Sequence, residues 1–266
     1  MATDLSNTTL GFVGCGKIGS AVARGFASCN PPPKSIVVSP RSRDKAEALK
    51  AEFPSIVTIA ESNDDVVLAA DVVFYGLLPG VAREVLPSMP FRKEQLIISM
   101  MAAIDYAETL TFSGDVVPVE NIVRTVPLPS AAKRSGPILM HPPNARADAV
   151  LSCVGTVVAC AAEAEMKPMI CLTAHISSFF ELERVNQQFM EDNGVHKDAA
   201  KKFTASFYES LAVSAAASHE GFADLRDEAA TPGGLNQQST DALKAGPHFT
   251  AQVASMQVIL DRLNGK

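Results

Sequence analysis

The sequence predicts a chain in two parts, an N-terminal α/β half built as a doubly wound parallel sheet and a C-terminal half made of helices alone. Three observations carry this reading. The stretch Thr9 to Gly19, TLGFVGCGKIG, has the form of a buried strand running into a glycine-rich turn and a helix. Apolar β-rich runs then alternate with helical patterns as far as Ala164, and from Lys167 onward only the 3.6-residue spacing of amphipathic helices remains.

In the first stretch, Leu10, Phe12 and Val13 supply the strand, and Gly14-Cys15-Gly16-Lys17-Ile18-Gly19 matches G-x-G-x-x-G ahead of the helix-compatible SAVARGFASC. The first glycine of such a turn allows a sharp bend, the second lets backbone N–H groups approach a pyrophosphate, and the third lets helix pack on strand. The helix N-terminus adds unpaired N–H groups and a favourable dipole. Residues Gly14 to Gly19 therefore read as the phosphate-binding turn of a Rossmann-type dinucleotide site.

Asn30-Pro31-Pro32-Pro33 breaks the first helix, and Ser35 to Ser39 gives a β-branched second strand. An NAD site usually carries an acid near the end of this strand, but here the chain runs Ser39-Pro40-Arg41-Ser42-Arg43. Guanidiniums and hydroxyls suit a 2′-phosphate, so Ser39, Arg41 and Arg43 point to NADPH. Ile56 to Ala60 reads as a strand, Asn63 to Ala70 as a helix, Asp71 to Leu77 as a strand, Val81 to Met89 as a helix and Leu96 to Ala103 as a strand. Leu77-Leu78-Pro79-Gly80 and Ala102 fall at carboxyl ends of strands, where open α/β sheets bind their ligands. Asp105 to Phe112 suits a helix and Asn121 to Val126 a strand, within which Arg124 either faces the cleft or forms a surface salt bridge. A helix and a last strand, Thr156 to Cys160, close a dinucleotide domain spanning residues 1–164. The second domain, residues 165–266, has helical spacing over Met169 to Asp192, Lys197 to His219, Gly234 to Ala245 and Phe249 to Leu263. With no sheet to cover their apolar faces, these helices suggest burial against a second copy, a homodimer or higher homo-oligomer.

Composition sets bounds. Of the 266 residues 47% are hydrophobic and 20% charged, a globular balance, and the net charge of −6 argues against a nucleic-acid or anionic-membrane surface. The five cysteines have no C-x-x-C spacing, so neither a disulfide nor a metal site is expected. No apolar run reaches the ~18 residues of a membrane span, and the first eight residues lack the Lys or Arg of a leader, so a cytoplasmic protein is expected.

Four stretches, GFVGCGKIGSAVARG, LLPG followed by VAREVL, IISMMAAI, and RDEAATPGGLNQQSTDAL, together resemble the pyrroline-5-carboxylate reductase family, and the resemblance runs the length of the chain. It implies a Rossmann domain followed by a dimerisation domain, and hydride transfer from NAD(P)H to the carbon of a cyclic imino acid, giving L-proline. It implies that Thr231-Pro232-Gly233-Gly234, from a neighbouring subunit, meets the nicotinamide and the substrate carboxylate, and that Asn63 touches the cofactor. By the same resemblance His175 and Ser177 line the pocket, and His219 or Glu220 faces the substrate. The departures are Leu78 in place of a family lysine, Leu128 in place of an asparagine, and Leu235-Asn236 in place of a threonine pair. The cofactor half is kept and the substrate half altered, as in a divergent branch.

Read from the residues alone, reduction of an iminium needs donor and carbon held within about 3 to 3.5 Å and little acid–base chemistry. Free N–H groups at Gly233, Gly234 and Leu235, with Pro232 at the first position of a helix, suit a carboxylate. Asn236 offers both donor and acceptor to a ring nitrogen, and Thr231 is the other catalytic candidate. A β-hydroxyacid dehydrogenase would need a lysine on the first long helix, and Met169 to Glu191 has none. A related imine reductase and a non-catalytic NADPH-binding regulatory protein are the other readings left by Leu78, Leu128 and Leu235.

Overall fold

The computed structural model describes residues 3–266, which divide into two compact units, one ending at Met166 and one running from Lys167 to Lys266. The first unit contains β1 (Thr9–Val13), α1 (Lys17–Ala27), β2 (Ser35–Val38), α2 (Arg43–Glu52), β3 (Val57–Ile59), α3 (Asn63–Ala69) and β4 (Val72–Tyr75). It continues through α4 (Pro79–Val85), β5 (Leu96–Ser99), α5 (Tyr106–Thr111), β6 (Ile122–Pro127), β7 (Pro137–His141), α6 (Ala145–Leu151) and β8 (Thr156–Ala159). The eight strands form one sheet in the order β3-β2-β1-β4-β5-β6-β7-β8.

Alternation along each central strand feeds two cores, as a parallel sheet covered on both faces requires. Leu10, Phe12, Ile36, Val38, Val72, Phe74, Leu96 and Ile98 pack into one cluster, while Val13, Val37, Val73, Tyr75 and Ile97 pack into the other. Phe12 and Phe74 stack at 4.5 Å across the β1–β4 pair, and Phe26 of α1 closes on Phe74 at 5.6 Å. Each such fully buried aromatic contributes on the order of 1.5–3 kcal/mol.

One strand escapes the sequence reading, and it changes the sheet from all-parallel to mixed. Prolines at 137 and 142 obscure β7, which pairs with β6 antiparallel and with β8 parallel. The link from β6 is only a short 3-10 turn, Pro129–Lys133, followed by left-handed Arg134 and Gly136 (φ 56° and 86°). A link this short reverses the chain, whereas a parallel return needs a crossover of a dozen or more residues.

The second unit is helical: α7 (Met166–Thr173), whose first residue still belongs to the first unit, α8 (Ile176–Asp192), α9 (Lys197–Ala217), α10 (Phe222–Ala229), α11 (Leu235–Ala245) and α12 (His248–Leu263). The single helix expected from Met169 is broken at Ala174–His175. There, N–H groups bond three residues back, and the His175 carbonyl starts a new helix by accepting the Phe179 N–H. Apolar spacing runs unbroken across this joint and hides it. The short α10 is absent from the sequence reading because one or two turns show too little periodicity. The unit leaves large apolar side chains in solvent, among them Phe180, Phe189, Phe203 and Phe207. Among the described residues, no helix is long and apolar enough to cross a membrane, and the five cysteines are free.

Candidate functional site

β1, β4 and β5 lie side by side and parallel, so their carboxyl ends share one edge of the sheet. The chain leaves β1 toward β2 on one side and β4 lies on the other, which makes the β1–β4 edge the switch point where α/β sheets bind ligands. The glycine turn sits there. Gly14 has φ +100°, and a Cβ on it would stand 2.5 Å from the Gly76 carbonyl oxygen; one on Gly19 would stand 2.4 Å from the Gly14 carbonyl oxygen. These two are required by packing. Gly16 is different, since a Cβ there would meet only the Gly76 oxygen, at 4.0 Å, leaving open space above the turn.

Gly16 caps α1 without a side-chain bond, and the first turn of α1 holds no acid. The first backbone bond of the helix is the Ser20 N–H to the Gly16 carbonyl at 2.9 Å, so the N–H groups of Lys17, Ile18 and Gly19 have no helical acceptor. An uncapped N-terminus with open space above a glycine fits the pyrophosphate of a dinucleotide. Cys15 contributes backbone only: its side chain is in the core, and burial pushes its thiol up to about 11. Gly76 was missed in the sequence reading, although a glycine directly after the β4 run was the available signal.

Ser39 does not stand where the sequence reading put it. It is 1% exposed, and its Oγ accepts the Gly14 N–H at 3.0 Å, so it braces the glycine turn from inside instead of facing a 2′-phosphate. The reason is position: Ser39 directly follows β2 and still lies within the sheet. Arg41 and Arg43 are exposed just beyond it, with the Arg43 Nε 2.8 Å from the Glu47 carboxylate. Asn63 opens α3, next to the Ser62 cap. Leu77 packs partly into the core, Leu78 is 76% exposed, and Pro79 begins α4. After β5, Met101 to Ile104 forms a turn closed by the Ile104 N–H on the Met101 carbonyl at 3.1 Å, with Ala102 and Ala103 exposed at its tip.

In the second unit, Thr231 to Gly234 is a tight turn closed by the Gly234 N–H on the Thr231 carbonyl at 2.8 Å. Pro232 and Gly233 (φ +73°) occupy its centre as a type II turn demands, so Pro232 precedes α11 by three residues and is not its first residue. The N–H groups of both glycines are engaged, that of Gly233 by the Gln237 side chain at 2.7 Å. The groups left open are those of Leu235, Asn236 and Gln237 in the first turn of α11, which corrects the expectation of free glycine N–H groups. Asn236 donates to the Ala229 carbonyl at 2.9 Å, and its amide oxygen is left over. Leu235 is 84% exposed.

His175 lies elsewhere in this unit, in a cavity of about 510 Å³ with Ser178, Phe179, His248, Gln252 and Ser255 among its walls. Its Nε2 is 2.9 Å from the Ser255 Oγ, which also lies 2.9 Å from the Gln252 carbonyl oxygen. Ser177, Glu220 and the Thr231–Asn236 turn are not part of these walls. Glu220 is exposed between α9 and α10, where its N–H donates to Ser218 Oγ at 3.1 Å.

Residues 9–103 match the family model described as "NADP oxidoreductase coenzyme F420-dependent". The pyrroline-5-carboxylate reductase of Escherichia coli (strain K12) is 26% identical over 269 aligned positions, covering 95% of this chain and 96% of that protein. Over its whole length the chain is similar to the pyrroline-5-carboxylate reductases. The structure of the Coxiella burnetii reductase superposes with a TM-score of 0.81 at 20% identity, covering 98% of each chain. That of Plasmodium falciparum pyrroline carboxylate reductase, with NADP bound, has a TM-score of 0.75 at 18% identity and covers 97% of this chain and 98% of that one. With the glycine turn at the switch point, this similarity supports an NAD(P)H-dependent oxidoreductase.

Proposed function

We propose that the chain reduces the C=N bond of a cyclic imino acid with NADPH, with 1-pyrroline-5-carboxylate to L-proline as the first substrate to test and proline biosynthesis as its setting. The observation that carries the reading is the uncapped glycine turn at the β1–β4 edge, followed past β2 by two exposed arginines, with no acid among residues 39–43. Gly14 to Gly19 hold the pyrophosphate through backbone N–H groups, Arg41 and Arg43 take the 2′-phosphate, and Asn63, Leu77 to Pro79 and Ala102 flank the remainder. The cofactor, when bound, supplies the hydride. The chain's own task is to orient the imine and exclude water. The open N–H groups of Leu235, Asn236 and Gln237 and the α11 dipole receive the carboxylate. The free amide oxygen of Asn236 accepts from the protonated ring nitrogen, and Thr231 sets the turn that presents it.

In this reading the protein is cytoplasmic and works as a homodimer or larger homo-oligomer whose second-unit helices cover each other's apolar faces. A related imine without a carboxylate is the second reading, favoured by the bare side chains of Leu78 and Leu235. NADPH consumption with a panel of cyclic imines tests both. Turnover confined to imines bearing a carboxylate supports the first reading, turnover of simple cyclic imines the second, and none with any imine rejects both.

A further inference from the structure

We propose that Arg124 is a positioning residue that fixes the Met101–Ile104 turn for the nicotinamide end of the cofactor. This rests on the reading above that the Ala102 loop flanks the cofactor. Arg124 lies on β6, opposite Ser99 of β5 and His141 of β7, and is 7% exposed. Its guanidinium is used on every nitrogen. Nε donates to the Ile104 carbonyl at 2.7 Å, one terminal nitrogen to the Ala102 carbonyl at 2.8 Å, and the other to the Met166 sulfur at 3.1 Å. The Glu163 carboxylate stands 3.2 Å from Nε and also accepts the Tyr106 N–H at 2.8 Å, tying the start of α5 to the same cation.

Stability alone does not account for this arrangement. A buried ion pair adds little net stability, because desolvation offsets most of the attraction. The ends of the turn are already anchored by burial, with Met101 3% and Ile104 0% exposed. What Arg124 adds is control of the exposed tip. The Ala102–Ala103 peptide is planar, so holding its carbonyl against the guanidinium points the Ala103 N–H the opposite way. The tip belongs to the carboxyl edge that β5 shares with β1 and its glycine turn. Two carbonyls two residues apart match a rigid planar fork; a lysine ammonium, a point donor on a flexible stem, does not hold both in that geometry.

The test is Arg124→Lys in the full-length protein, read by kcat and KM with NADPH and the best imine. Binding of 2′,5′-ADP, which carries only the adenine half of the cofactor, is measured beside it. The expected result is kcat lowered at least tenfold with 2′,5′-ADP affinity within twofold of the parent. Unchanged kcat overturns the proposal, and so does a parallel loss of 2′,5′-ADP binding, which marks a general structural role. Should Arg124→Lys fail to fold, Glu163→Gln serves: it keeps an acceptor for the Tyr106 N–H while removing the counter-charge. There a kcat lowered at least threefold with intact 2′,5′-ADP binding supports the proposal, and an unchanged kcat overturns it. A parent protein that binds no 2′,5′-ADP overturns instead the cofactor reading on which the proposal rests.

Discussion

Replacing Arg41 and Arg43 together by alanine should separate the two nicotinamide cofactors. Both side chains are exposed, and Arg43 is held only by the Glu47 carboxylate in an i,i+4 pair whose members are 74% and 55% exposed. Such a pair is worth roughly 0.3–0.5 kcal/mol, so it yields readily to a phosphate. A hydrogen bond to a charged group contributes about 1.5–3 kcal/mol, and exposure favours the lower end. Two arginines then account for about 3 kcal/mol, or roughly a hundredfold in NADPH affinity. NADH has no 2′-phosphate and should weaken less than about threefold by the same reasoning. Arg41→Ala alone should cost more than Arg43→Ala, because Arg43 must first leave Glu47, and Glu47→Ala should tighten NADPH slightly. Titration calorimetry with each cofactor measures all of these. Equal losses for NADPH and NADH in the double variant would refute the reasoning.

The remaining predictions concern the turn, the core thiol and assembly. Gly233→Val places a β-branched residue at φ +73° and should lower kcat/KM for the imine at least tenfold while sparing NADPH binding; Asn236→Ala should lower turnover in the same steady-state assay. Cys15 is neutral in the folded chain up to about pH 11 but ionises near 9.0 once unfolded. The stability tied to its neutral form is therefore complete below pH 9 and lost as pH rises toward 11, and urea titrations should show a smaller loss over that window in Cys15→Ala. Sedimentation at micromolar concentration should give at least a dimer, since Phe180, Phe189 and Phe203 are each 60% or more exposed; a thermally stable monomer would count against it.

How much of this was legible in the sequence depends on how local the signal is. The glycine turn and the β1 to β5 alternation were legible because each rests on neighbouring residues: a strand, a bend that only glycine tolerates, a helix. Ser39 was misplaced because a serine beside two arginines looks like a phosphate ligand, and only the β1–β2 pairing shows its hydroxyl turned to the Gly14 N–H. β7 was hidden by its flanking prolines, and its antiparallel direction follows from a link whose left-handed residues carry no reliable sequence mark. TPGG was seen as a helix start, yet the left-handed φ of Gly233 makes it a type II turn that ends one residue before the helix. Arg124 was read either as a cleft residue or as a surface ion pair; it is paired with the half-buried Glu163, and its own buried guanidinium grips backbone carbonyls 20 and 22 residues away.

The most direct test of the central claim follows the hydride itself. With NADPH carrying deuterium at the transferable position and 1-pyrroline-5-carboxylate as substrate, the account predicts proline one mass unit heavier, formed one-for-one with NADP and only when protein is present. Proline without the label, or cofactor oxidation that proceeds at the same rate without the imine, would contradict it.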